Sequence, residues 1–472
     1  MEDKDGEKTP QILCKEPSIP SPTESSQAFD LEREYNDPKL PPVDGGLHAW
    51  LFLAACFMVE GTVWGFAACF GVFQNYYRND PAFQGSHAIA AIGTCAMGMA
   101  YLLSPIVMAI LIALPRLQRW ASTIAFVVIS LSLALSSFSK NVTHLILSQG
   151  IAYGTAGCFA YAPSILFMPD WFVKKKSLAF GIVWVNHCPQ PIQLISPSNQ
   201  TETLTNAPTQ SGSGLTGIIF PLILQSLLDN YGWQTTLRIC SVAIFTLAAP
   251  FMLFHKPRIP RRTINFAQLD LSFHRNRTYL IYQAGNIIQS VGFFLPQIFL
   301  PSYAELLGAK GLQASSTITV FNISNMFGCI FIGYLADRCH VTKCILISTI
   351  GAVLSTFLLW GLSVHLAPLY LFSVLYGCTG GSFSSSWSAT SNEVRKSHPS
   401  ADVSMVFAFM ETGRGIGNVV SGPLSESLLK LGLWEGRAFG AYGTSYGVLV
   451  VLTGVTTLMG GVSVVARTFR WI

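Results

Sequence analysis

The sequence predicts an all-α membrane protein whose twelve helices fall into two groups of six. Three observations predict it. Of 472 residues, 50% are hydrophobic and only 11% are Asp, Glu, Lys or Arg, whereas soluble domains carry about 25% charged residues. Apolar stretches of about 20 residues, long enough to cross a bilayer, recur along the chain. A polar, basic segment, 255–275, divides them. Mean hydropathy is +0.44. This composition excludes an ordinary cytosolic enzyme, a disordered scaffold and a nucleic-acid binder. The net charge of +5 is no nucleic-acid signal, because the cations sit in short loops between apolar runs.

Residues 1–46 are polar and rich in Pro, Ser and Glu, with no early apolar core of a secretory signal. They read as a disordered cytosolic tail that ends at Pro41-Pro42 and Asp44-Gly45-Gly46. The first bundle, 47–254, holds spans near 49–76, 88–114, 120–139 and 143–168, then a broken one, then 233–254. The second bundle, 276–466, holds 277–303, 313–336, 342–364, 367–388, 403–428 and 440–466. A short cytosolic C-terminus, 467–472, completes the chain.

The broken fifth span is the main irregularity. Ser177–Trp184 is apolar but only 8 residues long, and Val185–Gln210 is dominated by Asn, Gln, Thr, Ser and Pro. Lipid-exposed irregular backbone is not tolerated at membrane depth. Without Val185–Gln210 the flanks join into one helix of normal length. The segment therefore reads as a retained intron in helix 5. Its 26 residues keep the reading frame, Val codons begin with GT, and Gln can be encoded by CAG. A genuine loop entering mid-helix is the alternative.

The cations set the expected orientation. With the N-terminus inside, the inner loops hold seventeen Lys and Arg, among them Arg116, Arg119, Lys174, Lys175, Lys176, Arg338 and Lys343. The outer loops hold five: Arg78, Lys140, Lys310, Lys430 and Arg437. Both termini are expected in the cytosol. Most of the 11 cysteines lie inside apolar runs and read as small packing residues. Cys339 and Cys344 flank His340 at a spacing that matches no metal motif. No Ser-His-Asp set, carboxylate pair or zinc-type His cluster is present. The expectation is therefore no catalytic residues, no metal and no cofactor.

The loops carry a resemblance. Gly333-Tyr-Leu-Ala-Asp337-Arg338 resembles the loop motif of the major facilitator superfamily, where Asp and Arg lock neighbouring helices at a cytoplasmic end. Leu114-Pro-Arg116-Leu-Gln-Arg119 echoes it in the first half without the Asp, as two parallel halves would. Asp44-Gly45-Gly46-Leu-His-Ala-Trp50 and Trp171-Phe-Val-Lys174-Lys175-Lys176-Ser-Leu178-Ala179-Phe-Gly181 resemble the entries to the first and fifth spans of monocarboxylate transporters. Glu60-Gly-Thr-Val-Trp64-Gly65-Phe66 and Arg414-Gly-Ile-Gly-Asn418-Val-Val-Ser-Gly-Pro423 look like the fungal branch of that family. The resemblance covers residues 44–466 apart from 185–210. It implies a twelve-helix secondary transporter in the plasma membrane, with an organellar membrane as the alternative. Such a carrier moves small organic anions by alternating access, with proton coupling. Other solutes such as riboflavin, a non-transporting sensor, or a non-functional product of the interrupted helix 5 are the alternatives. The expected partners are a small-molecule solute, protons and the lipid bilayer, and no nucleic acid. One departure stands out: Cys329 occupies the place where many fungal relatives carry an Arg.

Within the spans, charges are expensive, costing about 2.5–3.5 kcal/mol at a helix centre on insertion scales, and so mark a pathway. Glu60 lies mid-way along span one, and Glu411 and Arg414 lie three apart on span eleven. Arg414 reads as a counter-ion for a solute carboxylate, and Glu60 as a proton-linked switch. Alternatively Glu411 and Arg414 neutralise each other and Glu60 bonds a neighbouring helix. Asn286 and Gln289 on span seven, Asn322 and Asn325 on span eight, and Asn418 on span eleven face either a cavity or neighbouring helices. Trp64, Phe66 and Tyr161 read as cavity walls or packing. Gly333, Asp337, Arg338 and Lys174, Lys175 and Lys176 form the conformational loop set.

Overall fold

The structure, a computed structural model, describes residues 40–83, 86, 88–172, 213–259, 271–401 and 403–471. The insertion 185–210, the lysines 174–176, nearly all of the tail and most of the central loop lie outside those residues. No strand occurs among the described residues. With no water in the bilayer core, each segment satisfies its own backbone by coiling.

Helices α1 (Gly46–Ala68) and α2 (Phe70–Asn79) make the first passage, jointed at Cys69. The second is α3 (Ile89–Leu102) and α4 (Ser104–Ala113), bent by 42° at Leu103. Pro105, which lacks an N–H, sits in the first turn of α4. The third passage, α5 (Pro115–Ser136), starts earlier than the hydropathy suggests because Pro115 serves as its first residue. The fourth is α6 (Val142–Leu145), a π-turn at Ile146–Ala152 and α7 (Tyr153–Trp171). α8 (Ser213–Met252) has two legs, because Gly232 leaves the helix at φ 73° and ψ 169°. Trp233 packs on Tyr77 near the end of α2, whereas His255 stacks on Phe52 near the start of α1. The chain therefore reverses at Gly232.

The second half repeats this plan. It comprises α9 (Arg277–Leu306), α10 (Leu312–Arg338) and α11 (Val341–Leu354), the last prolonged by a π-turn at Ser355–Trp360. The tenth passage joins α12 (Leu366–Thr379), a 3-10 turn at Gly381–Ser386 and α13 (Trp387–Ser397). α14 (Val403–Leu431), α15 (Gly447–Gly460) and α16 (Val462–Thr468) complete it. The last passage begins at Gly447 rather than at 440. Gly440 sits at φ 66° in a 3-10 turn against Leu362, which keeps this stretch out of the helix.

Among the described residues, nine helices are long and apolar enough to cross a bilayer, ten with the bent pair. The second leg of α8 and the more polar α14 bring the passages to the twelve expected from the sequence. The outer faces suit lipid: on α5, Val127, Leu131 and Leu135 are exposed while Ile129 and Leu133 are buried. Both faces are apolar because the solvent is hydrocarbon.

The two halves lock together at the end where α2 finishes (the distal end; the opposite one is proximal). Asn75 Nδ2 donates to Glu305 Oε1 at 2.6 Å and Asn79 Nδ2 to Glu305 Oε2 at 3.3 Å. Arg78 pairs with Glu426 at 3.6 Å, donates to the Tyr446 hydroxyl at 3.2 Å and lies over the Phe299 ring. Ser315 donates to Gln225 at 2.6 Å.

Candidate functional site

The orientation of α14 defines the centre of the bundle. Its Gly413 and Gly417 face α9, with no room for a Cβ beside Gln283 and Ser290. Gly415, Val419 and Gly422 face α3, against Leu102, Gly98 and Thr94. Ile416 and Val420 are exposed to the lipid side. The remaining face carries Glu411, Arg414 and Asn418, all buried, and looks into the space between α9 and α3.

Arg414 is fully buried. Its Nη2 donates to Gln289 Oε1 at 3.2 Å. Its guanidinium lies 4.0 Å from the Phe293 ring centre and 5.0 Å from that of Trp387. Cation–π attraction to these two rings offsets part of the desolvation. The 3-10 turn before Trp387 sets that ring, and Trp387 Nε1 donates to Asn286 Oδ1 at 3.1 Å. Asn286 in turn donates to the Met410 carbonyl at 2.7 Å, so the amide ties α9, α13 and α14.

Glu411 points the other way, into the first half. It accepts hydrogen bonds from Ser104 and, at 3.3 Å, from Tyr161. The bend at Leu103 brings Ser104 to it. Glu411 and Arg414 therefore do not neutralise each other, although they are three residues apart. Between them runs an aromatic chain across the halves. Tyr161 packs on Trp64 (5.1 Å), Trp64 on Tyr101 (4.6 Å), and Tyr101 on Trp387 (6.2 Å). Glu60 is buried one turn below Trp64.

Comparison with known proteins agrees with this architecture. The family described as Major Facilitator Superfamily matches residues 284–468. The MFS-type transporter pynF of Aspergillus niger is 26% identical over 395 residues, 82% of this chain and 83% of the relative. The aspyridones efflux protein apdF of Emericella nidulans is 25% identical over 364 residues, 76% of this chain and 68% of its own. The second half of the chain thus matches the major facilitator superfamily, and the relatives named as its transporters align along most of the chain. Among solved structures, the nucleoside transporter NupG superposes with a TM-score of 0.63 at 14% identity, covering 90% of this chain and all of NupG. That likeness shows the fold. The chain is a multi-pass membrane transporter.

The fold brings Trp64, Tyr161, Asn286, Gln289, Glu411 and Arg414 to one centre, with Asn418 one turn further along α14. Asn322 lies apart: it accepts from Gln297 at 3.2 Å and donates to the Gly217 carbonyl at 2.9 Å, clasping α10 to the other half. Asn325 accepts from Cys329 at 3.5 Å and packs at Gly377 and Gly381. Phe66 is buried against Phe73 and Tyr153. Gly333, Asp337 and Arg338 close α10, whose last turn bonds Cys339 N to the Leu335 carbonyl at 2.8 Å. In the first half, Gln118 donates to the Leu111 carbonyl at 2.6 Å. Cys329 is buried near Arg414 and Ser385, so an Arg in its place would bring two guanidinium groups together.

Residues that sequence reasoning misses are Tyr101, Ser104, Phe293 and Trp387. The run Gly381-Ser-Phe-Ser-Ser-Ser386, polar inside an apolar span, is the signal that marks Trp387. The other three carry none, since aromatics and single serines are ordinary in membrane helices.

Proposed function

We propose that this chain carries small organic anions of the monocarboxylate type, coupled to protons, by alternating access. The observation that supports this most is the separation of the two central charges. Arg414 is presented to the bundle interior beside Gln289, while Glu411 is held by Ser104 and Tyr161 of the opposite half. In this reading Arg414 receives the solute carboxylate through its N–H edge. Glu411 and Glu60 exchange the proton, and the hydroxyls of Ser104 and Tyr161 stabilise the ionised form of Glu411. The distal contacts of Arg78, Asn75 and Glu305 then act as one gate. Their rupture opens the centre to the other side as the halves rock.

The test is uptake of labelled acetate, pyruvate and lactate into cells expressing the chain with and without Val185–Gln210, at two external pH values. Acid-stimulated uptake by either form supports the reading; uptake only after deletion also supports the intron assignment. No acid-stimulated uptake of any of these by either form would defeat it. A second reading, export of a larger fungal product, draws on the name of the Emericella nidulans relative, an efflux protein. Faster loss of a preloaded product from expressing cells than from control cells, without carboxylate uptake, would favour it.

A further inference from the structure

We infer that the solute is a planar organic anion that also bears an adjacent hydrogen-bond donor and acceptor, as in a lactam or pyridone, recognised by Asn418. The inference rests on the reading of Arg414 as the anion's anchor. Asn418 is fully buried, and neither its Oδ1 nor its Nδ2 has a hydrogen-bond partner. Buried amides are almost always bonded, and an unsatisfied one is costly, so a position used only for packing would favour an apolar side chain.

Asn418 lies four residues beyond Arg414 on the interior face, about 6 Å along the helix. That is the separation of opposite substituents on a six-membered ring. A primary amide presents an acceptor beside a donor. Its complement is a C=O beside an N–H on the same edge. Gln289 adds a second donor: its Oε1 is engaged by Arg414, while its buried Nε2 has no partner. Gln74, on α2 one turn from Arg78, is also fully buried with both amide atoms unpartnered. Arg78 meets Glu426, two turns beyond Asn418, so Gln74 stands near the next level above it. The rings of Phe293, Trp387, Tyr101 and Trp64 suit a flat solute.

The test uses the full chain in lipid nanodiscs and three labelled probes measured by equilibrium dialysis. These are 6-oxo-1,6-dihydropyridine-3-carboxylate, its N-methyl derivative and nicotinate. The N–H compound is expected to bind about tenfold more tightly than the other two, the increment of one well-placed hydrogen bond pair. Asn418→Leu is expected to bring that ratio to about one. Equal affinities of all three on the unaltered chain would overturn the inference and leave the anion reading in place. A preference that persists in Asn418→Leu would overturn the assignment to this residue. Absence of saturable binding by all three would overturn both.

Discussion

The distal end and the centre of this transporter use the same residue types to opposite ends. At the distal end Arg78 meets Glu426, and Asn75 and Asn79 both meet Glu305. Each carboxylate finds its partner across the boundary between halves, Glu305 partly exposed and Glu426 buried beside the partly exposed Arg78. At the centre Arg414 and Glu411 are closer in sequence than any of these pairs, yet each turns to a different half, toward rings, an amide and hydroxyls. Paired charges fasten the halves; separated ones stay responsive to whatever enters between them. Burial sharpens the contrast, because the low dielectric of the interior strengthens every charge interaction.

The largest effect is expected at Arg414. Arg414→Gln should lower the initial rate of carboxylate flux into proteoliposomes about 100-fold, the scale of a lost charged hydrogen bond. Arg414→Lys should recover only a small part of it, because an ammonium lacks the planar, weakly hydrated group that stands close to the Phe293 and Trp387 rings while donating to Gln289. Retention of most of the flux in Arg414→Gln would remove Arg414 from the site. Next is Glu411→Gln, which should reduce the stimulation by an inward proton gradient about tenfold while leaving exchange of anion for anion measurable. Equal losses in both assays would mean that Glu411 is structural.

These two residues also show how far the sequence can be read. Apolar length locates the passages because hydrocarbon tolerates nothing else, and even α14 is visible despite Glu411, Arg414, Glu426 and Lys430. Facing is not visible. Asn286 and Gln289 have the same three-residue spacing as Asn322 and Asn325, yet the first pair stands at the centre and Asn322 clasps Gly217. The difference is made by the partner helices, which no spacing within one helix encodes. Tyr101 and Trp387 reach the centre because the bend at Leu103 and the 3-10 turn at Gly381–Ser386 redirect the helices on either side of them.

At the distal end the effect should be smaller, since Arg78 is partly exposed and such pairs contribute at most about 1 kcal/mol. Glu426→Gln should raise the alkylation rate of the thiol in Ser421→Cys about threefold, as the halves part more often. No change would show that the other distal contacts, those of Glu305, Tyr446 and Gln225, hold this end without Glu426. The smallest effect belongs to the proximal His340, partly exposed beside Glu393 at 3.6 Å. Burial and the neighbouring Arg467 lower its pKa below 6.5, with Glu393 opposing. The ring is then neutral at pH 7. As pH falls through 6.5 the unfolded chain takes up the proton first, so a little stability is lost. His340→Gln should flatten the melting temperature between pH 7 and pH 5 by about a degree. A steeper acid loss in the variant would mean that the His340–Glu393 contact strengthens on protonation.

The glycines at 413, 415 and 417 have a mechanical meaning. They put bare backbone on the two flanks of α14 that press against α9 and α3. Ordinary helices mesh through side chains. α14 instead lies nearly backbone to backbone against both neighbours, while Gln283 and Asn286 pin it to α9 through the carbonyls of Phe409 and Met410. A single methyl at 415 would meet the backbone of Leu102 and Gly98 and push α14 off α3, prising the two halves apart.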